Sequence, residues 1–201
     1  ANTAVGREAL RTNTEGVYNT AIGSNALYSN TTGTSNTAVG YEALRANTTG
    51  IRNTAVGRYS LLNSTGESNS SLGYWALGST TTGIQNTAVG TQAGWANVNG
   101  SNNVFVGYQV GYGTLTSGSS NILIGTSSAV TTPAAGTNNW LNIGNTIYGN
   151  LSTGSIALGA AAVTGGATID TSARTDSILF PKGTDAQRPT GVAGMVRYNT
   201  T

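Results

Sequence analysis

The feature that most constrains this chain is a short motif that returns at a nearly constant interval. It reads Asn, two further residues, an aliphatic residue and Gly, and it first occurs as Asn2–Gly6. The asparagines of its copies are Asn2, Asn19, Asn36, Asn53, Asn69, Asn86, Asn103 and Asn121. Their sequence numbers increase in steps of 17, 17, 17, 16, 17, 17 and 18. Self-similarity at a fixed short period indicates a stack of equivalent structural units.

A second glycine marks the end of each unit, three positions before the next Asn. These glycines are Gly16, Gly33, Gly50, Gly66, Gly83, Gly100 and Gly118. Two fixed glycines in every repeat would interrupt any helix that ran through it, so the pattern favours short strands joined by turns. The one shorter step lacks a residue between Gly57 and Gly66, which places the length variation in a turn.

Residue size within the motif predicts which side chains share a face. We number the repeat from its Asn, so position 1 is Asn and position 5 is the motif glycine. Position 4 is aliphatic in all eight copies, whereas position 3 is Ala or Ser in the first six. Side chains alternate along a strand, so positions 2 and 4 lie on one face and position 3 on the other. We expect positions 2 and 4 to point inward and the small position 3 to face a neighbouring subunit.

These patterns predict an all-β fold, a parallel β-solenoid (β-roll) with one repeat per coil and two short strands in each. The second strand would contain the apolar pair that follows the motif, such as Ala26-Leu27. Stacked Asn side chains would form a hydrogen-bonded ladder, and the glycines would provide positive φ or close approach. The coils are thin and the small residue at position 3 leaves room for a neighbour, so we expect the roll to be intertwined or packed as a homotrimer.

The composition argues against several functional classes. Charged residues make up 8% of the chain, against about 25% in ordinary globular proteins, and none occurs between Glu67 and Asp170. The chain has no Cys and no His, which removes disulfides, thiolate metal sites and the commonest general base. A net charge of +2 from scattered Arg and a single Lys does not form a basic stripe. We therefore expect no enzyme activity, cofactor, nucleic-acid partner or direct membrane insertion.

The repeat divides the chain into three predicted segments. Residues 1–125 are regular β-roll repeats, 126–165 are irregular coils with a loop insertion around Pro133, and 166–201 form a connector and the start of a distal β module. Phe105 and Leu123 replace the small residue of position 3. We expect either a more hydrophobic interior at 103–125 or subunits that separate there, so that the rod widens or ends. Because Ala1 falls inside a motif, we also expect this chain to be a segment of a longer protein.

Particular motifs carry a resemblance to fibre proteins. The units NTAVG, NTAIG and SIALG resemble the repeats of trimeric autotransporter adhesin heads, which form left-handed parallel β-rolls in a trimer. The longer unit NTAVGYEALRANTTG is similar to repeats of phage tail fibres and fibre-like bacterial surface proteins. Residues 183–201, GTDAQRPTGVAGMVRYNTT, resemble a segment near the distal part of tail-fibre proteins. The resemblance implies an extracellular homotrimeric fibre, on a virion or a bacterial surface, that attaches to a cell-surface glycan or other receptor.

Aromatic residues are the candidate contacts for such a receptor. Sugar rings stack on exposed aromatic faces, while Asn, Ser and Thr supply hydrogen bonds, and a surface of low charge suits a neutral polysaccharide. The candidates are Trp75, Trp95, Tyr108, Tyr112, Trp140 and Tyr148. Packing between coils or subunits is the more common role for such residues.

Three alternative functions remain open. The segment could be a pure shaft spacer of a tail fibre, without receptor contact. It could bind ice through the threonine column at position 2, although we expect that column to point inward. The column contains Thr3, Thr20, Thr37, Thr54 and Thr87. A polysaccharide depolymerase would have to use Asp170, Asp176 and Asp185, which lie close together in sequence.

The charged residues of the first coils are expected to form local ion pairs on a solvated face, each of them weak. The arginines are Arg7, Arg11, Arg45, Arg52 and Arg58, and the acids within the same coils are Glu8, Glu15, Glu42 and Glu67.

Overall fold

The protein folds as a β-solenoid of about eight turns, as the repeat predicts. The structure, a computed structural model, describes residues 1–158 and the backbone of 169–170. All described strands belong to one sheet in sequence order, and no helix occurs in this part of the chain. Strands β1 to β8 pair in parallel and in register, with Thr3 opposite Thr20 and Thr20 opposite Thr37. The all-β, parallel fold with one repeat per coil is thereby confirmed.

The strands are short, because each regular coil has only three residues in extended conformation. They are β1 (Thr3–Val5), β2 (Thr20–Ile22), β3 (Thr37–Val39), β4 (Thr54–Val56), β5 (Ser70–Leu72), β6 (Thr87–Val89), β7 (Val104–Val106), β8 (Ile122–Ile124), β9 (Trp140–Ile143), β10 (Ile147–Asn150), β11 (Ser155–Leu158) and β12 (Ile169–Asp170).

The prediction of two strands per coil is wrong, since each regular coil has a single strand. The apolar pair Ala26-Leu27 lies in a turn, and Leu27 has a φ of 50°. Leu10, Leu44, Leu61 and Leu77 occupy the same position, with φ between 49° and 53°. A left-handed residue turns the chain sharply and ends an extended segment. Inward-pointing side chains at such a turn produce the same short apolar pattern as a strand.

The predicted orientation of the strands is also wrong. Position 3 points inward, since Ala21, Ala38 and Ala55 are fully buried. Position 4 points outward, and Val5 and Leu72 remain 57% and 52% exposed. The coil interior is thin, because the turn on the opposite side fills it with a buried Ala at position 8 and Leu at position 9. Only a small side chain fits between them, so size rather than hydrophobicity decides which face is inside.

The predicted asparagine ladder at position 1 is confirmed. The backbone N–H of Asn53 donates to Asn36 Oδ1 at 2.9 Å, and the backbone N–H of Asn69 donates to Asn53 Oδ1 at 3.0 Å. The Asn53 Nδ2 group donates to the carbonyl of Gly66 in its own coil at 2.9 Å. Each buried Asn therefore joins two coils and also closes its own coil. These bonds go mainly to backbone groups, which would otherwise be unpaired inside the protein.

Two columns of glycine allow the coils to approach closely. Gly57, at position 5, has a φ of 128°, and a Cβ on it would lie 2.5 Å from the carbonyl oxygen of Gly73. Gly50, at position 15, has no positive φ, but its Cβ would lie 2.4 Å from the Gly66 oxygen. Both reasons predicted for these glycines are thus confirmed, and position 5 combines them.

Phe105 fits inside its coil because two neighbouring glycines make room. It is fully buried at position 3 of the seventh coil, which confirms the more hydrophobic interior expected there. Gly94 and Gly111 replace the usual Leu at position 9 of the sixth and seventh coils. A Cβ at either would lie 2.5 or 2.7 Å from the Phe105 ring. The larger side chain is accommodated within the roll, so widening is not needed to make room for it.

Ser60 and Ser71 form a matched pair of buried hydroxyls. They replace Ala at position 8 of one coil and position 3 of the next, and their hydroxyls hydrogen-bond to each other. We predict that Ser60→Ala or Ser71→Ala alone destabilises the fold by about 1–2 kcal/mol, because one buried hydroxyl loses its partner. The double variant should come within about 0.5 kcal/mol of the wild type, because both partners are then apolar. Chemical unfolding of all four proteins measures the coupling, and additive effects would contradict it.

The regular pattern changes after β8, although the chain continues to follow the roll. The N–H of Gly111 donates to the Val130 carbonyl at 2.9 Å, and the N–H of Thr116 donates to Ala135 at 3.1 Å. Strand β9 pairs in parallel with β8, whereas β10 pairs antiparallel with both β9 and β11. In the described part, no helix has the length and apolar character needed to cross a membrane. The distal motif at 183–201 lies outside the described residues.

Candidate ligand-binding surface

Five aromatic side chains lie where the chain leaves the strand, at positions 6 and 7 of their coils. Position 7 is left-handed in every regular coil, with φ of 55° at Glu42, 61° at Tyr59 and 57° at Trp75. Because every coil turns in the same way, the side chains at these positions stack from coil to coil. In the third, fourth and fifth coils the stacked pairs are Tyr41-Glu42, Arg58-Tyr59 and Tyr74-Trp75.

Four of these aromatic rings and one guanidinium form a continuous patch, which we call the Arg58 cluster. It consists of Tyr41, Arg58, Tyr59, Tyr74 and Trp75. The Tyr59 ring lies at the centre, with centroids 4.7 Å from Trp75, 5.5 Å from Tyr41 and 6.3 Å from Tyr74. Tyr41 and Tyr74 remain 42% and 43% exposed, and Arg58 is exposed as well. The patch is therefore ordered by mutual packing and still accessible to a ligand.

Arg58 is held by aromatic rings. Its guanidinium carbon lies 4.6 Å from the Tyr59 centroid, 5.6 Å from Tyr41 and 6.0 Å from Tyr74, all within the range of cation–π attraction. Its Nη2 donates to the Tyr59 hydroxyl at 3.1 Å, and this hydrogen bond raises the pKa of the Arg58 guanidinium. The Glu42 carboxylate beside Tyr41 raises the pKa of the Tyr41 hydroxyl. Arg58 is therefore permanently charged, and Tyr41 keeps its proton at neutral pH.

Three arginines of the first four coils form the predicted ion pairs, whereas Arg7 has no carboxylate within ion-pairing distance among the described residues. Arg11 pairs with Glu8 at 3.7 Å, Arg45 with Glu42 at 3.8 Å, and Arg52 with Glu67 at 3.2 Å. These are exposed pairs of little energetic consequence. For Arg58 the predicted ion pair is wrong: within residues 1–158 no carboxylate lies within ion-pairing distance of it.

The six aromatic residues chosen from the sequence fall into separate places. Trp75 belongs to the Arg58 cluster. Trp95 and Tyr112 stack on each other across adjacent coils, with centroids 4.9 Å apart and planes at 21°. Trp140 lies 6.2 Å from Tyr148 across β9 and β10, and Tyr108 is 54% exposed. These pairs match the packing role considered above, and the six residues do not converge on one site.

Sequence reasoning missed Arg58 and Tyr59 as members of a cluster with Trp75. The repeat spacing could have revealed this cluster, because residues one repeat apart occupy equivalent positions in adjacent coils. Reading positions 6 and 7 together would have placed Tyr41, Arg58, Tyr59 and Trp75 side by side.

The shortened fourth coil leaves a shallow depression in the turn face. Its lining residues are Thr49, Gly50, Ile51, Thr65, Gly66, Glu67 and Ile84. Beneath it the second buried column of Asn, at position 12, is interrupted because Ser64 replaces Asn. Asn47 Oδ1 and Ser64 Oγ consequently have no hydrogen-bond partner among the described residues. The depression follows from the missing residue and contains no charged group besides Glu67, which already pairs with Arg52.

The outward face of β1 to β8 is the second large surface, and we call it the strand face. It carries positions 2 and 4, which point out of the roll, and no residue in either column is charged. Position 2 contributes Thr3, Thr20, Thr37, Thr54, Ser70, Thr87, Val104 and Ile122, and position 4 contributes Val5, Ile22, Val39, Val56, Leu72, Val89, Val106 and Ile124. The expectation that the threonine column points inward is therefore wrong; Thr54 and Thr87 are exposed.

Comparison with known proteins adds no relative from which to infer function: no protein-family model, curated protein or solved structure matches the chain. Among the described residues, no three His, Cys, Asp or Glu side chains come together as metal ligands. Within the described residues, the strand face and the Arg58 cluster are the two surfaces with the features of a binding interface.

Proposed function

We propose that this protein is a segment of an extracellular homotrimeric fibre, on a virion or a bacterial cell surface, that attaches to cell-surface glycans by multivalent display. The observation that carries the proposal is the strand face, an uncharged column of aliphatic side chains running along eight coils. At about 4.8 Å per coil, it extends roughly 35–40 Å. A contiguous apolar surface of this length is unusual on a protein that acts alone and is typical of an interface.

The trimer is proposed on a different surface from the one the sequence suggested. Position 3 is filled by the coil itself, so the Ala column cannot accept a neighbour. The strand face can, because Val5, Ile22, Leu72 and Val89 are 40–57% exposed and lie in register from coil to coil. Three copies related by a closed rotation would bury this column along the axis. The fibre motifs support three copies in particular.

The proposed role needs no catalytic group, because it depends on the shape and regular spacing of the rod. In-register strands, a buried Asn ladder and two glycine columns hold the coils at a fixed spacing. Such a rod displays identical surfaces at fixed distances, and three copies of a weak site bind far more tightly than one. A shaft spacer without receptor contact would need the same rod, but it would not need an exposed cluster of four aromatic rings and an arginine.

Light scattering on the purified chain tests the trimer. We predict a mass of three chains for the wild type, and a shift towards single chains for Val56→Asp, which puts a charge in the strand face. The matched control is Thr32→Asp, on an exposed turn away from that face, which should leave the mass unchanged. A wild-type chain that is a monomer at high micromolar concentration would end the trimer proposal.

Ice binding remains a second candidate, because the threonine column faces outward in parallel, in-register strands. It needs the strand face to be free, whereas the fibre proposal needs it covered, so the two are mutually exclusive on this surface. A monomeric chain with thermal hysteresis that is lost in Thr37→Tyr and kept in Thr32→Asp would favour ice binding. A trimer without thermal hysteresis would exclude it.

A further inference from the structure

We infer that the Arg58 cluster is a binding site for a carboxylated sugar, so that the glycan recognised by this fibre is an acidic polysaccharide containing uronate residues. The inference rests on the proposed glycan attachment and goes beyond it, because it commits to one site and to the charge of the ligand.

The aromatic part of the cluster provides the stacking surface. Tyr59 and Trp75 have centroids 4.7 Å apart with planes at 42°, and Tyr74 meets Trp75 edge-on at 6.4 Å. Their exposed faces and edges form an uneven, apolar patch on the side of a rigid rod. The C–H groups of a pyranose ring pack on such a patch, while tyrosine hydroxyls at its rim are available for hydrogen bonds.

Arg58 determines the charge of the ligand. A guanidinium has five N–H donors in a planar fork that matches both oxygens of a carboxylate. In this cluster the Tyr59 hydroxyl accepts a hydrogen bond from Nη2 of Arg58. The described residues supply no carboxylate for the remaining N–H groups of the guanidinium. A neutral sugar would make no use of this charge, whereas a uronate would pair with it while its ring stacks on Tyr59 or Trp75.

The surrounding charges define where the acidic group can bind. Glu42 lies beside Tyr41 and would repel an anion on that side, although its own partner Arg45 partly offsets the repulsion. From residue 68 to residue 158 the chain has no charged residue at all. The carboxylate therefore approaches Arg58 from the side of Tyr74 and Trp75. Arg58 is the last cation before this long uncharged region, so it is the nearest positive charge that can attract a polyanion there.

Calorimetric titration of the full chain with a galacturonate oligomer tests the inference. A neutral mannose oligomer and a sulfated oligomer of the same length provide the comparison, and short oligomers avoid avidity. We expect heat of binding with galacturonate, at least about tenfold weaker binding to the neutral oligomer, and a similar loss in Arg58→Gln. Arg58→Lys should lose part of the affinity, because an ammonium cannot bind a carboxylate in the bidentate mode.

The matched control is Arg7→Gln, which removes the same charge from an exposed side chain at the same position 6 of the first coil. It should change the affinity less than twofold. Equal losses in Arg7→Gln and Arg58→Gln, or equal binding of the galacturonate and sulfated oligomers, would mean general charge attraction and would overturn the inference. Equal binding of the neutral oligomer, or no measurable binding of galacturonate, would do the same.

Failure of this inference can be told apart from failure of the proposed function. If the trimer binds another glycan and Arg58→Gln does not change that affinity, the Arg58 site is excluded and the proposed glycan attachment is still supported. If Arg58→Gln instead changes the mass measured by light scattering, the cluster is a contact between copies of the chain, and the inference is wrong. The melting temperature of each variant, measured alongside, confirms that the roll is intact.

Discussion

Gly57→Ala is expected to destabilise the roll by about 3–5 kcal/mol, which combines a strained φ with overpacking against the next coil. The φ of 128° at this residue is unfavourable for any residue with a Cβ, and the added carbon would lie 2.5 Å from the Gly73 carbonyl oxygen. Neither problem can be relieved locally, because the obstacle is backbone that is itself held by the sheet.

The position of Gly57 in the fourth coil makes the shape of the unfolding transition informative. A stack of repeats is stabilised by contacts between neighbours, so a defect in the middle uncouples the two ends. Thermal unfolding followed by circular dichroism should then show an early transition or two separate ones. The control is Gly113→Ala, since a Cβ there meets nothing within 4 Å and its φ is not positive. It should change stability by less than about 0.5 kcal/mol. Equal effects of the two substitutions would show that close stacking does not explain the glycine column.

Phe105→Ala is expected to lower the free energy of unfolding by a similar amount, about 3–5 kcal/mol, because it leaves a cavity that no neighbouring side chain fills. The neighbouring Gly94 and Gly111 have no side chains to collapse into the space. Restoring the usual arrangement should rescue the protein: Phe105→Ala combined with Gly94→Leu and Gly111→Leu recreates Ala at position 3 and Leu at position 9. We expect this triple variant to be more stable than Phe105→Ala alone, because it restores the residue types that pack the regular coils, although the two leucines add more volume than the loss of Phe105 removes.

The control for this exchange is the pair Gly94→Leu and Gly111→Leu with Phe105 retained. It should be at least as damaging as the loss of Phe105, because both leucines would collide with the ring. Urea unfolding of the four proteins gives the coupling energy between position 3 and position 9. A triple variant no more stable than Phe105→Ala would contradict the packing argument.

Much of the fold could be read from residues that recur. The interval between motif copies predicted the coil length, the invariant Asn predicted a ladder, and the two glycines predicted close stacking and positive φ. Gly57 and Asn53 meet these expectations because their roles depend on the backbone of the adjacent coil, which the repeat itself places. The fibre resemblance, the trimer and the glycan partner stay proposals, since they concern what lies outside the chain.

The orientation of the strands could not be read correctly, for a physical reason. Hydrophobicity suggested that Val56 is inside and Ala55 outside, yet the structure has the reverse. Burial in a thin coil is limited by volume, and the turn opposite the strand had already filled that volume with Leu61. A strand of three residues gives alternation but no indication of which face is covered. The same error made the threonine column look inaccessible and weakened the case for ice binding.

The candidate site likewise combines residue types that the sequence reveals with contacts between coils that it does not. Trp75 was visible in the sequence as an aromatic residue, but the Arg58 cluster depends on which side chains stand beside one another across three coils. By itself, the sequence determined the period, the ladders and the uncharged character of this protein, because each follows from a residue type at a fixed spacing. Only the tertiary structure decided which face is inside and where Arg58 lies, because both depend on how much space the coil leaves and on contacts between residues of adjacent coils.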